Sequence, residues 1–208
     1  MQGLGLQERT QALRETRLAR HAAREARAAV AADTEVAPVL FWKDTQKNGY
    51  LSNWARSPLC VDGRTFNCVE QYIMWSKAVL MGDGTREAAI MATADPQRQK
   101  RLGKCVHPWD EALWARRREA VLCAAVAAKF GQNEELRARL LRTHPRRLAE
   151  ASPSDNVYGI GMAPDDPRAQ DPAVWKGQNL LGRALEQVRA DLLAQAEPAA
   201  RPGSPAGS

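Results

Sequence analysis

Segment 67–78 predicts a helix that carries an acidic and a basic side chain on one face. At 3.6 residues per turn, Glu70, Met74 and Lys77 share that face. The residues predicted to form a separate, core-facing stripe are Val69, Tyr72, Ile73 and Ser76. Glu70 and Lys77 are two turns apart, roughly 10 Å along the axis, which is too far for an ion pair. They could instead hold opposite ends of one small anionic ligand.

Both charged residues also have ordinary structural interpretations. Asn67 can cap the helix, and Glu70 would then occupy the glutamate position of a capping box. Lys77 can be a solvated surface lysine. The spacing alone leaves these alternatives open.

Two glycine-containing loops form further candidate sites. In the first, Asp155 and Tyr158 precede Gly159 and Gly161, so that the backbone could approach a ligand closely. The alternative for Asp155 is an Asx turn, in which its carboxylate binds its own backbone.

The second loop, 175–179, opens a predicted helix, and the free N–H groups at a helix start can bind phosphate. Lys176 and Gly177 would contribute to such a site. The alternative is helix capping by Asn179, with Gly182 present for close packing.

Two tryptophans allow either a core or a ligand-stacking interpretation. Trp114 lies on a predicted helix with Arg118 on the same face, and an aromatic ring beside an arginine could stack on a base. Trp54, which follows Asn53, is open to both interpretations as well.

These residues need a framework, and the sequence predicts a helix-dominated α+β domain with a few short strands. Helices are predicted over 68–81, 86–93, 96–102, 111–130, 134–142 and about 179–194. Strands are predicted at 39–42 and in a hairpin whose arms, 59–61 and 65–66, flank Asp62 and Gly63.

Composition divides the 208 residues into three parts. Residues 1–37 hold ten Ala, six Arg and no aromatic residue, which predicts a loose helix or a disordered arm. Residues 196–208 are rich in Pro and Gly and predict a disordered tail. Residues 38–195 hold all the aromatic residues and therefore the predicted domain.

Several protein classes are disfavoured by the composition. The longest uncharged apolar run, 120–128, is far shorter than the ~20 residues of a membrane span. The N-terminus lacks the apolar stretch of a secretory signal, so we expect a cytoplasmic protein that binds no membrane. No CxxC pair, metal-binding His spacing or Walker loop is present, and we predict neither metal nor cofactor.

The net charge of +6 mildly favours anionic ligands. The same charge supports a competing hypothesis. The chain would be a basic protein that binds nucleic acid through residues 116–118 and through Arg146 and Arg147.

A family resemblance rests on blocks that occur in order over residues 39–194. They are Gly49-Tyr50-Leu51-Ser52-Asn53-Trp54, Glu70-Gln71-Tyr72-Ile73-Met74 with Lys77-Ala78, Trp114 with Arg118, Lys129-Phe130-Gly131-Gln132-Asn133, Leu148-Ala149-Glu150-Ala151-Ser152, Asp155 to Gly161, and Lys176-Gly177-Gln178-Asn179-Leu180-Leu181-Gly182. Together they resemble the NADAR superfamily of YbiA-like N-glycosidases. Two positions depart from its pattern: Tyr158 stands where Trp is usual, and Gln71 stands where the riboflavin-pathway branch tends to have His.

The resemblance implies an enzyme that hydrolyses N-glycosidic bonds, with Glu70 and Asp155 as its catalytic carboxylates in either order of roles. Glu150 is the alternative if Asp155 is not catalytic. The substrate-binding residues implied are Asn53, Trp54, Lys77, Trp114, Arg118, Tyr158, Gly159, Lys176, Gly177 and Asn179.

The substrate expected first is a phosphorylated ribosylamino-pyrimidine intermediate of riboflavin synthesis. The alternatives are an ADP-ribosyl N-glycosidase that frees guanine, in which case ADP-ribosylated nucleic acid is a partner, and a non-catalytic module that binds ADP-ribose or NAD.

Overall fold

The computed structural model describes residues 37–196. The predicted arm, 1–37, and the predicted tail, 196–208, lie outside this range except for Ala37 and Ala196. No helix within 37–196 combines the length and the apolar character needed to cross a bilayer.

Within residues 37–196, four three-residue strands form two small sheets. They are Val39–Phe41 (β1), Leu59–Val61 (β2), Arg64–Phe66 (β3) and Leu148–Glu150 (β4). β2 and β3 form the predicted antiparallel hairpin, and its turn residues Asp62 and Gly63 both have positive φ, 49° and 76°, as tight hairpin turns require. β4 was not predicted; it pairs in parallel with β1, and Phe41 lies opposite Glu150.

Six α-helices dominate the secondary structure of the described chain, as predicted. They are Val69–Met81 (α1), Gly84–Met91 (α2), Pro96–Lys104 (α3), Glu111–Gly131 (α4), Glu134–Leu141 (α5) and Leu180–Ala196 (α6). Side-chain caps begin four of them, because a backbone N–H in the first turn binds an Asp or Asn oxygen. The caps are Asp83, Asp95, Asp110 and Asn133. Short 3₁₀ turns cover Gly49–Leu51, Pro167–Gln170 and Pro172–Val174.

The start of α1 differs from the predicted capping box. The capping residue is Cys68, and its side chain makes no capping bond. Gln71 closes the turn, since its Oε1 accepts the Asn67 N–H at 2.8 Å. The Glu70 side chain takes no part in capping, so that interpretation was wrong. Its carboxylate is therefore free for another role.

The core surrounds α1, which packs against α2, α3 and α4, while α6 packs against α4 and β4. The predicted apolar stripe of α1 is buried, as at Val69 and Ile73. The parallel pairing of β1 and β4 brings their carboxyl ends to one edge. The chain that follows β4 lines a cavity together with Glu70 at the start of α1.

Candidate active site

A cavity of about 480 Å³, here called the α4 cavity, lies where α1, α3 and α4 meet the loop after β4. Its size is typical of small-molecule sites, which span roughly 300–1,000 Å³. Its polar and aromatic wall includes Asn53, Trp54, Glu70, Lys77, Lys100, Lys104, Trp109, Trp114, Arg118, Glu150, Asp155 and Tyr158. It thus brings together eight of the predicted site residues, from four separate parts of the chain.

Buried polar atoms without partners concentrate in this cavity. Within 37–196, the buried side-chain atoms that make no hydrogen bond are Asn53 Oδ1, Glu70 Oε1, Arg118 Nε, Glu150 Oε2 and Tyr158 OH. All five residues line the α4 cavity. Leaving such an atom unpaired costs about 1–3 kcal/mol, so native proteins keep few of them. Their clustering indicates a site built for a polar ligand.

Glu70 is deeply buried at the start of α1, with 5% of its surface exposed. Burial raises the pKa of its carboxyl group, whereas Lys100, Lys77 and a hydrogen bond from the Trp54 side chain act to lower it. The backbone N–H of Glu70 donates to the Asn53 carbonyl at 3.0 Å, which fixes the helix start against the loop 52–54. Glu70 is therefore held in place with one carboxylate oxygen available to a ligand.

Lys77 lies between two tryptophan rings and is not a solvated surface residue. Its Nζ is 5.4 Å from the ring centroid of Trp109 and 5.1 Å from that of Trp114. Burial lowers the pKa of Lys77, and the nearby Glu70 acts in the opposite direction. Trp114, 4% exposed, belongs to the core and also lines the cavity.

Asp155 forms the predicted Asx turn at the edge of the cavity. Its Oδ1 accepts the backbone N–H groups of Val157 at 3.0 Å and Tyr158 at 2.8 Å, which is the expected Asx turn. The residue also lines the cavity. The turn fixes the direction of the side chain and leaves Oδ2 outside these two bonds.

The predicted phosphate site at 176–179 requires a correction. Lys176, Gly177 and Asn179 are absent from the cavity wall. Asn179 is 3% exposed, and its amide group binds β4: Nδ2 donates to the Leu148 carbonyl at 2.8 Å, and Oδ1 accepts the Glu150 N–H at 3.2 Å. This side chain holds the framework of the site and is not open to a phosphate.

Gly159 and Gly177 allow the close backbone packing of the same framework. A Cβ at Gly159 would lie 2.8 Å from the Glu150 carbonyl oxygen, and one at Gly177 would collide with the Gly159 carbonyl. Both positions need glycine because the loop 155–161 folds back tightly onto β4. Gly159 therefore shapes the site through backbone packing, and it too is absent from the cavity wall.

Five charged or aromatic cavity residues were not among the predicted site residues. They are Lys100, Lys104, Trp109, Glu111 and Glu150, the last having been named only as an alternative. Lys100 and Lys104 are four residues apart, so they share one face of α3, and this spacing is a signal that the sequence does contain. No local sequence pattern selects Glu150 as a site residue, because β4 was not predicted.

Lys129 is a buried side chain that supports the turn at Ser52. It is 1% exposed, and its Nζ donates to the Ser52 carbonyl at 2.9 Å. Burial lowers the pKa of Lys129 to about 7. This contact holds the turn that carries Asn53 and Trp54 into the cavity.

A second cavity, also of about 480 Å³, adjoins the first and is here called the β1 cavity. The two share Trp54, Lys100, Lys104, Glu150, Ser154 and Asp155. Residues that follow β1, Trp42 and Lys43, extend its wall together with Arg101 of α3. Glu150 and Asp155 thus stand between two connected spaces.

The basic residues of the competing nucleic-acid hypothesis do not form one open surface. Arg146 donates to the Pro38 carbonyl at 3.1 Å, and Arg147 pairs with Glu186 at 3.2 Å. Arg118 faces the α4 cavity. In the described part of the chain, no three His, Cys, Asp or Glu side chains are arranged to hold a metal ion.

Carboxyl groups, cations and aromatic rings face a cavity of small-molecule size on a helix-dominated α+β frame, an arrangement typical of enzymes that act on polar substrates. The family model of the NADAR domain matches residues 40–193, and the chain belongs to that family.

Several known proteins are similar to this chain. Protein irg-1 of Caenorhabditis elegans is 38% identical over 76% of this chain and 69% of its own length. N-glycosidase YbiA of Escherichia coli K12 is 31% identical over 73% of this chain and 86% of its own. An N-glycosidase of Acanthamoeba polyphaga mimivirus is 35% identical over 58% of this chain and 71% of its own.

The fold is also that of a solved relative. The NMR structure of E. coli YbiA matches with a TM-score of 0.65 at 28% identity, and the match covers 80% of this chain and 92% of that one. The expected family and fold class are thereby confirmed. With N-glycosidases among its relatives, the protein is a hydrolase that acts on N-glycosyl bonds.

Proposed function

We propose that the protein hydrolyses the C1′–N bond between a phosphorylated ribose and a nitrogen base. A ribosylamino-pyrimidine intermediate of riboflavin synthesis is the first choice of substrate. The observation that carries the proposal is the set of five unpartnered buried polar atoms, which all line the α4 cavity. They include donors and acceptors, as a ligand with hydroxyl, phosphate and ring nitrogen groups would require.

The carboxyl groups suit the chemistry of this bond. Its cleavage builds positive charge on the ribose, and it needs a proton for the departing nitrogen and a water molecule at C1′. Glu70 and Asp155 come from different elements and face the same cavity. One can activate the water while the other opposes the charge on the sugar. Their roles could be exchanged.

Phosphate and base have separate partners in the α4 cavity. Lys77 and Arg118, together with Lys100 and Lys104, offer the positive charge for a phosphate group. The rings of Trp54, Trp114 and Tyr158 offer surfaces on which a base can stack. We therefore assign phosphate binding to these cations and not to the loop 176–179.

The departure at Gln71 does not count against a riboflavin intermediate. The Gln71 amide donates to the carbonyl oxygens of Ile90 at 3.1 Å and Thr93 at 3.2 Å. The side chain is thus used within the framework and is absent from the cavity wall. At Tyr158, in contrast, the unpartnered hydroxyl group belongs to the cavity and could contact the substrate.

The β1 cavity favours a second candidate, an ADP-ribosyl N-glycosidase that frees guanine. Lys43 and Arg101 add positive charge next to the shared Lys100 and Lys104, and Trp42 adds an aromatic ring. Such a wall suits a diphosphate with a second nucleoside. A non-catalytic module that binds ADP-ribose or NAD would use the same features without turnover.

Incubation with defined substrates tests these candidates. The protein is incubated with ribosylamino-pyrimidine phosphates, NAD, ADP-ribose and ADP-ribosylated DNA, and the free base is quantified by chromatography. We expect release of the pyrimidine. Glu119→Gln, an exposed residue that pairs with Arg183, is a control that should remain active. Binding of these compounds without any released base would refute the enzymatic proposal.

A further inference from the structure

Glu150 is held rigidly at the junction of the two cavities. It ends β4, opposite Phe41 of β1, and its N–H donates to Asn179 Oδ1 at 3.2 Å. Its carbonyl oxygen accepts the N–H groups of Ser152 and Ile160, each at 2.9 Å. With the backbone fixed on both sides, the side chain lines both cavities, and its Oε2 is buried without a partner.

Charged and titratable groups face the two cavities from every surrounding element. They are Glu70 and Lys77 of α1, Lys100, Arg101 and Lys104 of α3, Glu111 and Arg118 of α4, Asp155 and Tyr158 of the loop after β4, and Lys43 and Asp44 after β1. Burial, Asp155 and Glu70 raise the pKa of Glu150 to about 8, and Lys100 alone acts to lower it. Burial and the neighbouring carboxylates therefore favour the protonated form of Glu150.

Glu70 and Glu150 differ in the neighbouring groups that shift their pKa values. Lys100, Lys77 and the Trp54 hydrogen bond all act to favour the charged form of Glu70. Three carboxyl groups thus share a small space; Lys100 acts on both Glu70 and Glu150, whereas Lys77 and the Trp54 hydrogen bond act on Glu70. Repulsion among the three is relieved when one of them keeps its proton, and the least compensated is Glu150.

We propose that Glu150 is the general acid: it gives its proton to the departing nitrogen, and Glu70 and Asp155 act as carboxylates. This assignment rests on the proposed function. In the step, the electrons of the C1′–N bond go to the nitrogen, which takes the Glu150 proton. The water oxygen bonds to C1′, and one of the other two carboxylates takes the water proton. Transfer of that proton to Glu150 completes the cycle.

The test compares two leaving groups in wild type and Glu150→Gln. A ribosylamino-pyrimidine phosphate needs a proton on its nitrogen, whereas nicotinamide mononucleotide releases neutral nicotinamide without one. We expect kcat of the variant to fall ~10²–10⁴-fold with the first substrate, as is usual when a general acid is lost. With the second, it should stay within a few-fold of wild type. Asp155→Asn should slow both substrates.

The pH profile supplies a second readout. With the pyrimidine substrate, wild-type kcat/KM should fall as pH rises through about 8, and Glu150→Gln should lack this alkaline limb. Infrared difference spectra should show a carboxylic acid C=O band at neutral pH that Glu150→Gln removes and Glu119→Gln keeps. This band does not depend on turnover.

The outcomes are distinct. Equal losses with both leaving groups, full activity of Glu150→Gln, or no such band would overturn the assignment while the proposed function stands. If wild type cleaves neither substrate, the proposed function falls and the assignment falls with it.

Discussion

Exchanging Glu70 for glutamine should separate catalysis from stability. Glu70→Gln keeps the size of the side chain and removes its charge and its acid–base capacity. The carboxyl group is buried, and its Oε1 has no partner within the described chain. We expect hydrolysis to fall ~10²–10⁴-fold, the usual effect of losing an acid–base group. Ligand binding should persist, because the cations of the cavity remain.

The same variant should be more stable than wild type, although it is less active. Burial raises the pKa of Glu70, so ionising it in the folded protein costs free energy that the unfolded chain does not spend. Glutamine removes this cost, on the order of 1 kcal/mol for a buried group without a partner. For a domain of this size that corresponds to a Tm higher by about 2–4 °C. The gain should be present at neutral pH and vanish as pH falls towards ~4, where the unfolded carboxyl is also protonated.

The assay pairs single-turnover kinetics with thermal melts from acid to neutral pH, and Glu119→Gln serves as the surface control. Turnover within a few-fold of wild type would show that Glu70 is not catalytic. A lower Tm at neutral pH would show that the carboxylate stabilises the fold. Either result refutes the reasoning, since a catalytic Glu70 whose ionisation is disfavoured by burial requires both effects.

Three other perturbations test separate parts of the structure. Asp155→Asn retains Oδ1 as acceptor for two backbone N–H groups, so Tm should hardly move, while kcat falls at least tenfold, about 1.4 kcal/mol; steady-state kinetics with unchanged kcat would contradict this. Deletion of residues 1–36, which lack aromatic side chains, should leave Tm and activity intact. A Tm lower by many degrees would contradict this prediction. Wild-type stability should rise with pH between about 7 and ~10, because unfolded Lys129 binds a proton that the folded form loses. Lys129→Met should flatten that rise in denaturant titrations, and an unaltered slope would exclude Lys129 as its cause.

Local signals were sufficient for the helices and the hairpin. Asp95 followed by Pro96 marks the start of α3, and the positive φ angles at Asp62 and Gly63 are what such a turn sequence favours. β4 could not be found in this way, because three residues carry no periodicity. Its partner, β1, lies more than a hundred residues away.

Site residues could be predicted from the sequence where they lie on one face of a single helix. The faces of α1 follow from helical spacing alone, so Glu70 and Lys77 could be selected from the sequence. The capping-box interpretation failed because Gln71 closes the helix start through Asn67, and two equally plausible polar residues competed for that role. Glu150 joins the site through tertiary packing, which no local pattern reports.

The segment 176–179 contributes to the site through its framework. Three carboxyl groups must converge from a helix start, a strand end and a loop, so their geometry depends on how firmly β4 is held. Asn179 ties the start of α6 to β4 on both sides of Ala149, and Gly177 lets the loop 155–161 lie flat against that junction. A change there would move Glu150 and Asp155 together, and activity would fall although no ligand contact is lost. A sequence block that looks like a phosphate site can thus be essential for catalysis because it positions the acids.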